Sequence, residues 1–318
     1  MARNKKTSGS LFTFMNFLIA LLLKNGQYRT MQHYKATLNS YKRYRKDKDI
    51  TFKEIDAKEM QSYEAYLKNV AKVCNNTSSF YLRILRATYN KAVEKGYATQ
   101  QNPFKDVYTG IAKTNKRAIP TESVSSIKRL DSTIALTPKQ ELARDTFMMC
   151  FYLRGISFID LAHLRKSDLK DGFISYTRSK TGQRISIRWE KEMQDIVDKY
   201  QTQTADSTYL FPFLTSGTNS KNGTLQDKRQ DELRLYHNAE SRITYHLKKL
   251  GAKIGAKGKL TLYVARHTWA TTARVNQVPI SVISMALGHN SETTTQIYLR
   301  TIQSSEVDDA NAKILASI

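Results

Sequence analysis

Three side chains near the carboxyl end of the sequence have types and an order that suit chemistry on a phosphodiester. Arg266 is followed by His289 in a Leu-Gly-His string, and Tyr298 comes nine residues after that histidine. A tyrosine hydroxyl can attack phosphorus and form a covalent bond to it. An arginine guanidinium can bind the non-bridging oxygens as negative charge grows on them, and a histidine can donate to the same group. The pattern predicts a phosphoryl-transfer site.

A lysine in an earlier string could complete such a site. Lys180 lies between two runs rich in β-branched and aromatic residues, 173–178 and 184–189, which predict a β-hairpin with Lys180 near its turn. A lysine on a hairpin can protonate the leaving oxygen. Taken alone, a tyrosine on a helix most often packs against its neighbours, and a Leu-Gly-His string most often ends a helix. The prediction therefore depends on the ordered set.

The positive charge of the chain is large and unevenly distributed. The 318 residues include 51 Lys and Arg against 28 Asp and Glu, a net charge of +23. Residues 1–117 hold 23 of the basic residues and 8 of the acidic ones. Because each phosphate neutralised by Lys or Arg releases a condensed counterion, nucleic acid is the partner that this charge favours. A generally basic surface and attraction to anionic lipid are the alternatives.

Hydrophobic periodicity in the first hundred residues predicts a bundle of four helices. They begin near Leu11, near Thr30, at about Asp56 and after Asn76. Tyrosines alternate with Lys and Arg along them, and we interpret most of these tyrosines as packing residues. Candidate DNA-contacting residues on the second helix and in the following linker are Lys42, Arg43, Arg45, Lys46, Lys113, Lys116 and Arg117.

The pattern changes after residue 120. A short helix is predicted up to Leu130, a longer one opens at Thr137-Pro138, and the hairpin follows. Further helices are predicted over 227–251, 263–276, 279–287 and 293–301. The last residues, 304–318, have apolar side chains near helical spacing and could dock on a neighbouring copy or pack on their own chain.

Several classes of protein and site are disfavoured. The two cysteines, Cys74 and Cys150, cannot form a disulfide framework, and we interpret both as buried thiols of a reducing compartment. The histidines have no metal-ligand spacing, and no phosphate-binding or dinucleotide-binding glycine string is present. We therefore expect no cofactor and no metal. The apolar run 11–23 is too short to cross a bilayer, and a cytoplasmic protein is expected.

With these residues in view, the chain resembles the tyrosine recombinases of the phage integrase family. The resemblance implies a mainly α fold with a small β-hairpin or sheet. It implies a helical, SAM-like core-binding domain over 1–107, a linker over 108–120, and a mixed α/β catalytic domain over 121–318. In that family the nucleophilic tyrosine follows the Leu-Gly-His histidine by nine residues, as Tyr298 follows His289. The second family arginine matches Arg266, and the hairpin lysine matches Lys180.

The chain departs from the family pattern at two positions. Tyr263 stands where the family has the His of its His-x-x-Arg motif. Its hydroxyl can donate to phosphate, but a phenol is a poor general base. Ser157 stands where the family has its first arginine, three residues before Asp160. Arg154 is three residues earlier and would share a face with position 157 if the segment were helical, so we predict that it replaces the missing arginine. A buried ion pair is the alternative role for Arg154.

The resemblance implies a site-specific recombinase that cuts and rejoins double-stranded DNA through a 3′-phosphotyrosine and a Holliday junction. Short inverted-repeat sites and a homotetramer on DNA are then expected, and an accessory DNA-bending protein stays open. Similar Arg-Gly strings occur in recombinases of Bacteroides-type mobile elements. Because about ten residues precede the first helix, inversion or resolution is favoured over arm-regulated integration. A catalytically impaired DNA-binding protein and a type IB topoisomerase-like enzyme are the alternatives.

Overall fold

The computed structural model describes residues 9–112, 118–130, 135–215, 225–256, 259–299 and 315; at positions 225, 226, 297 and 298 it describes the backbone only. The chain divides into two compact units, residues 1–114 and 115–318. Each unit has its own hydrophobic core. The predicted tail, 304–318, lies outside the described residues apart from position 315.

The first unit contains the four predicted helices. They are α1 (Leu11–Lys24), α2 (Tyr28–Arg45), α3 (Ala57–Asn69) and α4 (Asn75–Glu94). Asp56 caps α3, its carboxylate accepting a bond of 2.8 Å from the backbone N–H of Glu59. The apolar stripes read from the sequence face inward, with Met15, Leu38 and Leu67 buried. Helical periodicity therefore set the positions of these elements closely.

Tyrosines form much of the core of the first unit. Tyr41, Tyr63 and Tyr89 are buried, and the rings of Tyr41 and Tyr63 meet edge-to-face at 4.8 Å. The Tyr41 hydroxyl donates to Glu59 over 2.6 Å, so its buried polar end is satisfied. The prediction that Cys74 is buried is wrong. Cys74 is exposed because it caps the start of α4 at a turn, although Cys150 is buried as expected.

The residues that follow the bundle are bonded to it. The side chain of Asn76 donates to the carbonyl of Ala112 (3.1 Å) and accepts from its N–H (2.8 Å). The hydroxyl of Ser79 donates to the carbonyl of Gly110 over 2.5 Å. Residues 108–112, which the sequence assigns to the linker, are thus fastened to α4.

The second unit combines helices with a small antiparallel sheet. Its helices are α5 (Thr121–Lys128), α6 (Pro138–Tyr152), α7 (Phe158–Ala162), α8 (Lys191–Lys199), α9 (Leu225–Lys253), α10 (Leu262–Val275), α11 (Ile280–Ala286) and α12 (Glu292–Leu299). Its strands are β1 (Leu169–Lys170), β2 (Phe173–Thr177) and β3 (Arg184–Arg188), in the order β1-β2-β3. The mainly α fold with a small sheet is confirmed.

Helix α6 is the centre of this unit and packs against α9 and α10. It begins with a capping box, in which Thr137 and Gln140 bond reciprocally, and with Pro138 in its first turn. Its carboxyl end is apolar, and Phe147 and Cys150 are fully buried. Helix α8 was not predicted from the sequence. In the described part of the chain, no helix is both long and apolar enough to cross a membrane.

Candidate active site

The turn between α6 and α7 lies directly against α10. Gly155 has a positive φ of 74°, and a Cβ there would lie 2.6 Å from the Cγ of Arg266. The carbonyl of Gly155 accepts a bond of 2.6 Å from one guanidinium nitrogen of Arg266. Only glycine combines this backbone conformation with so close an approach. The Arg-Gly string therefore serves to seat Arg266.

Arg266, on α10, is bonded to two other segments of the unit. Besides Gly155, it donates to the carbonyl of Leu287 over 2.6 Å, at the end of α11. The same nitrogen lies 3.1 Å from Nε2 of His289. The side chain is 6% exposed. Buried and bonded at several points, this guanidinium is held in one orientation before any ligand arrives.

The imidazole of His289 is held between Arg266 and α12. A guanidinium can only donate, so Nε2 accepts from Arg266, and Nδ1 carries the proton that it donates to Oγ1 of Thr295 over 2.8 Å. Burial lowers the pKa of His289 to about 4, with further contributions from Arg266, Arg178 and Lys180. His289 is therefore neutral at pH 7 in the DNA-free site.

The β2–β3 hairpin brings basic residues to the same place. Its turn is closed by the carbonyl of Arg178, which accepts from the N–H of Gly182 over 2.8 Å. Lys180 is exposed on the turn, as predicted, and its charge is close enough to depress the pKa of His289. Arg178 is buried, and its guanidinium donates to the carbonyl of Gly288.

Gly288 seats the Leu-Gly-His segment on that hairpin. Its φ is +63°, and a Cβ there would lie 2.9 Å from Cδ1 of Ile185 and 3.1 Å from Cδ of Arg178. The hairpin and the segment before His289 are therefore in direct contact. This contact brings Lys180 and His289, far apart in sequence, into one site.

Asp160 links the position of the missing arginine to the hairpin. Its Oδ2 accepts from the hydroxyl of Ser157 over 2.5 Å, and its Oδ1 accepts from the N–H of Ser179 over 2.8 Å. Asp160 is 4% exposed, so both bonds end on a buried carboxylate. Asp160 therefore ties Ser157, at the start of α7, to the hairpin turn.

The helical arrangement considered for residues 154–157 is wrong. Helix α6 ends at Tyr152, Arg154 has a φ of 56°, and Ser157 is the extended residue before α7. The chain must turn here to bring Gly155 against Arg266. Among the described residues, the side chain of Arg154 forms neither an ion pair nor a hydrogen bond, so the alternative ion pair with Asp160 is absent.

The remaining catalytic candidates lie on α10 and α12. Tyr263 is 58% exposed in the first turn of α10, and its ring lies edge-on to that of His267 at 4.5 Å. His267 is buried, which fits a packing role. Tyr298 belongs to α12, one turn after Thr295, and the structure describes only its backbone.

The DNA-contacting candidates of the first unit differ in their surroundings. Arg43 and Lys46 are exposed at the carboxyl end of α2. Arg45 pairs with Glu59 at 3.4 Å, and the ammonium of Lys42 lies 5.4 Å above the Phe12 ring. Three further candidates, Lys113, Lys116 and Arg117, lie outside the described residues.

Other histidines are spread over the chain. His163 bonds to Glu232 over 2.8 Å, and this bond raises the pKa of His163 and lowers that of Glu232. His33 stacks edge-on with Phe80. Across the described residues, no group of three or more His, Cys, Asp and Glu side chains could hold a metal ion.

Comparison with known families identifies both units. Residues 10–111 match the phage integrase SAM-like domain, and residues 124–304 match the phage integrase family. The chain belongs to the phage integrase family. This membership confirms the tyrosine recombinase class predicted from the sequence, and the integrase match contains Arg154, Lys180, Arg266, His289 and Tyr298.

Individual integrase-family relatives are distant in sequence. The chain is 27% identical over 193 residues to the tyrosine recombinase XerA of Pyrococcus furiosus; the match covers 60% of this chain and 59% of that protein. The XerH site-specific recombinase, solved with a palindromic difH substrate in a post-cleavage complex, matches with a TM-score of 0.64 and 14% identity over 92% of this chain and 83% of that one. A lambda integrase tetramer bound to a Holliday junction matches with a TM-score of 0.60 and 16% identity, over 92% and 78%.

Two residues of this integrase-family site were missed by sequence reasoning. Neither Arg178 nor Thr295 is among the candidate site residues named from the sequence. The available signal for Arg178 was an arginine at the last position of a strand that ends beside the hairpin turn. For Thr295 it was its place one helical turn before Tyr298.

Proposed function

We propose that this protein is a site-specific DNA recombinase that cuts and rejoins duplex DNA through a covalent phosphotyrosine. The observation that carries the proposal is the bond between Arg266 and His289, formed where α12 brings Tyr298 into the same unit. A scissile phosphate beside this pair would meet a guanidinium, an imidazole and the Lys180 ammonium on the facing hairpin.

In the proposed reaction, the hydroxyl of Tyr298 loses its proton to water as its oxygen attacks the phosphorus. A new P–O bond to tyrosine forms, the bond to the 5′ oxygen breaks, and a 3′-phosphotyrosine results. Lys180 protonates the departing 5′ oxygen. Arg266 and His289 bind the non-bridging oxygens as negative charge grows on them, and the hydroxyl of Tyr263 donates to the same phosphate. The free 5′-hydroxyl of a partner strand then reverses the step.

Binding of the phosphate changes the state required of His289. In the free site Nε2 accepts from Arg266, so it has no proton to give. A phosphate anion bound beside the imidazole would raise its pKa and favour the doubly protonated ring. Its Nε2 could then donate to the phosphate while Nδ1 keeps its bond to Thr295.

The assembly is proposed on the same basis. The first unit, with its exposed Arg43 and Lys46, reads the arms of short inverted repeats, and strand exchange uses four protomers. The lambda integrase neighbour was solved as a tetramer on a Holliday junction. Inversion, resolution and integration all use this chemistry, with or without a DNA-bending accessory protein.

Covalent trapping tests the proposal. A pool of nicked duplexes tiling the DNA that flanks the gene is incubated with the protein, and products are separated on a denaturing gel. We expect an adduct of protein with one strand, which is sequenced to give the cleavage site and which is absent for Tyr298→Phe. Tight binding without an adduct would favour the DNA-binding alternative. Relaxation of supercoiled plasmid without sequence preference would favour the topoisomerase-like alternative.

A further inference from the structure

Among the residues matched to the family pattern, only the guanidinium of Arg266 is fixed beside His289 in the described structure. The transition state of phosphoryl transfer carries two negative charges, which one arginine alone balances poorly. Ser157 occupies the position of the other arginine, and its hydroxyl is bonded to Asp160. The sequence-based substitute, Arg154, has no side-chain bond to any described residue. A second fixed arginine must be sought elsewhere in the fold.

Arg178 reaches the site from the hairpin. Arg266 donates to the carbonyl of Leu287, and Arg178 donates to the carbonyl of Gly288, the next residue. The two guanidinium groups therefore bind successive carbonyls of the segment that ends at His289. Arg178 is 8% exposed, and its remaining nitrogens have no partner among the described residues.

The charge of Arg178 also acts on the imidazole of His289. After burial, the causes that lower the pKa of His289 are Arg266 first, Arg178 second and Lys180 third. Both arginines also act on Tyr176: burial raises the pKa of its hydroxyl, and the charges of Arg266 and Arg178 lower it. Arg178 and Arg266 thus act together on two separate groups in the site.

Asp160 holds the backbone next to Arg178 in place. The carboxylate accepts from the N–H of Ser179, the residue next to Arg178, and from Ser157 at the position of the missing arginine. The turn of the hairpin is therefore tied to the place where the family pattern has its arginine. The Arg178 side chain therefore starts one residue from a backbone group that is bonded to the same carboxylate as Ser157.

We propose that Arg178 is the second phosphate-binding arginine of this site and that it replaces the arginine whose position Ser157 occupies. This inference rests on the proposed function. Of the five N–H donors of Arg178, one holds the Gly288 carbonyl, and donors on its remaining nitrogens bind a non-bridging oxygen of the scissile phosphate. Arg154 then has no part in binding the phosphate.

The test compares cleavage of two versions of the duplex identified by trapping. One has the natural scissile phosphate, and the other has a methylphosphonate there, in which a methyl group replaces one non-bridging oxygen and removes the negative charge. The variants are Arg178→Ala, Arg178→Lys and Arg154→Ala. Arg188→Ala, at the far end of the hairpin and exposed, is the matched control. Thermal melting shows that each variant is folded.

We expect Arg178→Ala to lower the cleavage rate on the natural phosphate about 10²–10³-fold, the usual effect of losing one fixed donor to a charged transition state. Most of that loss should disappear on the methylphosphonate, and Arg178→Lys should retain more activity than alanine. Arg154→Ala and Arg188→Ala should cleave like the unaltered protein.

Three results would overturn the inference. The first is full activity of Arg178→Ala on the natural phosphate. The second is a loss that is equally large on the methylphosphonate, which would mean that Arg178 only holds Gly288 in place. The third is that Arg154→Ala, and not Arg178→Ala, loses cleavage on the natural phosphate and regains it on the methylphosphonate. Failure of the unaltered protein to form any adduct would contradict the proposed function itself, a distinguishable outcome.

Discussion

Gly155 and Arg266 are in contact so close that no side chain fits between them. A Cβ at position 155 would lie 2.6 Å from Cγ and 2.8 Å from Cα of Arg266, and the Gly155 carbonyl accepts one of its guanidinium bonds. The turn after α6 therefore positions the arginine through both shape and hydrogen bonding. The role of the Arg-Gly string therefore lies in its glycine.

Gly155→Ala should displace Arg266 and impair the site. We expect it to lower the free energy of unfolding by about 1–3 kcal/mol through steric overlap, in addition to the strain of a positive φ. Gly172→Ala is the control, since Gly172 has the same φ of +74° with nothing within 4 Å of its Cβ position. Urea denaturation and adduct formation measure the two effects. Equal losses in the two variants would contradict the steric explanation.

Asp160→Ala should loosen the hairpin. Two donors, the Ser157 hydroxyl and the Ser179 N–H, would lose their acceptor; because both bonds are only part-buried, we expect a total cost near the low end of the about 1–3 kcal/mol of one unsatisfied buried donor. We expect faster hydrogen exchange at Ser179 and slower cleavage, with DNA affinity retained. Asp160→Asn should restore much of the activity, because its amide can accept from Ser179 and donate to Ser157. An unchanged exchange rate at Ser179 would argue against this link.

His289 gives the protein a specific dependence on acid. Its pKa is about 6.5 when unperturbed and about 4 in the folded protein. Between these two pH values the unfolded chain binds more protons than the folded protein. The free energy of unfolding therefore has no penalty from His289 above pH 6.5, and it falls as the pH drops towards 4. His289→Asn removes this contribution, and melting temperatures of the two proteins should converge or cross on acidification. A constant difference from pH 7 to pH 4 would show that the pKa is not lowered.

The exposed basic residues of α2 should govern the salt dependence of DNA binding. Arg43→Ala and Lys46→Ala should each reduce the slope of log K against log salt by about 1 if each contacts a phosphate. Arg45→Ala should have a smaller effect, since Arg45 is paired with Glu59. Titrations of the trapped duplex from low to high salt measure these slopes. If every variant has the same slope as the unaltered protein, the carboxyl end of α2 does not contact DNA phosphates.

The sequence was most informative where function depends on spacing along the chain. His289 and Tyr298, nine residues apart, and Lys180 beside a hairpin turn are visible as strings. Helix positions followed from the apolar period, because burial of one face decides them.

The sequence was least informative where function depends on distant contacts. Arg178 meets Gly288 across 110 positions of the chain, and Arg266 meets Gly155 across 111. No local pattern reports such pairs. The proposed helix around Arg154 failed for the same reason, since the turn there is dictated by packing on α10.

The bond between His289 and Thr295 also makes the imidazole a sensor of helix α12. Thr295 is completely buried and lies one turn before Tyr298 on the same helix. If α12 withdraws, the Nδ1–H loses its acceptor while Nε2 keeps its bond from Arg266, so the environment of Nδ1 changes. The nitrogen chemical shifts of a single labelled histidine would thus report whether the nucleophile's helix is docked, in solution and without DNA.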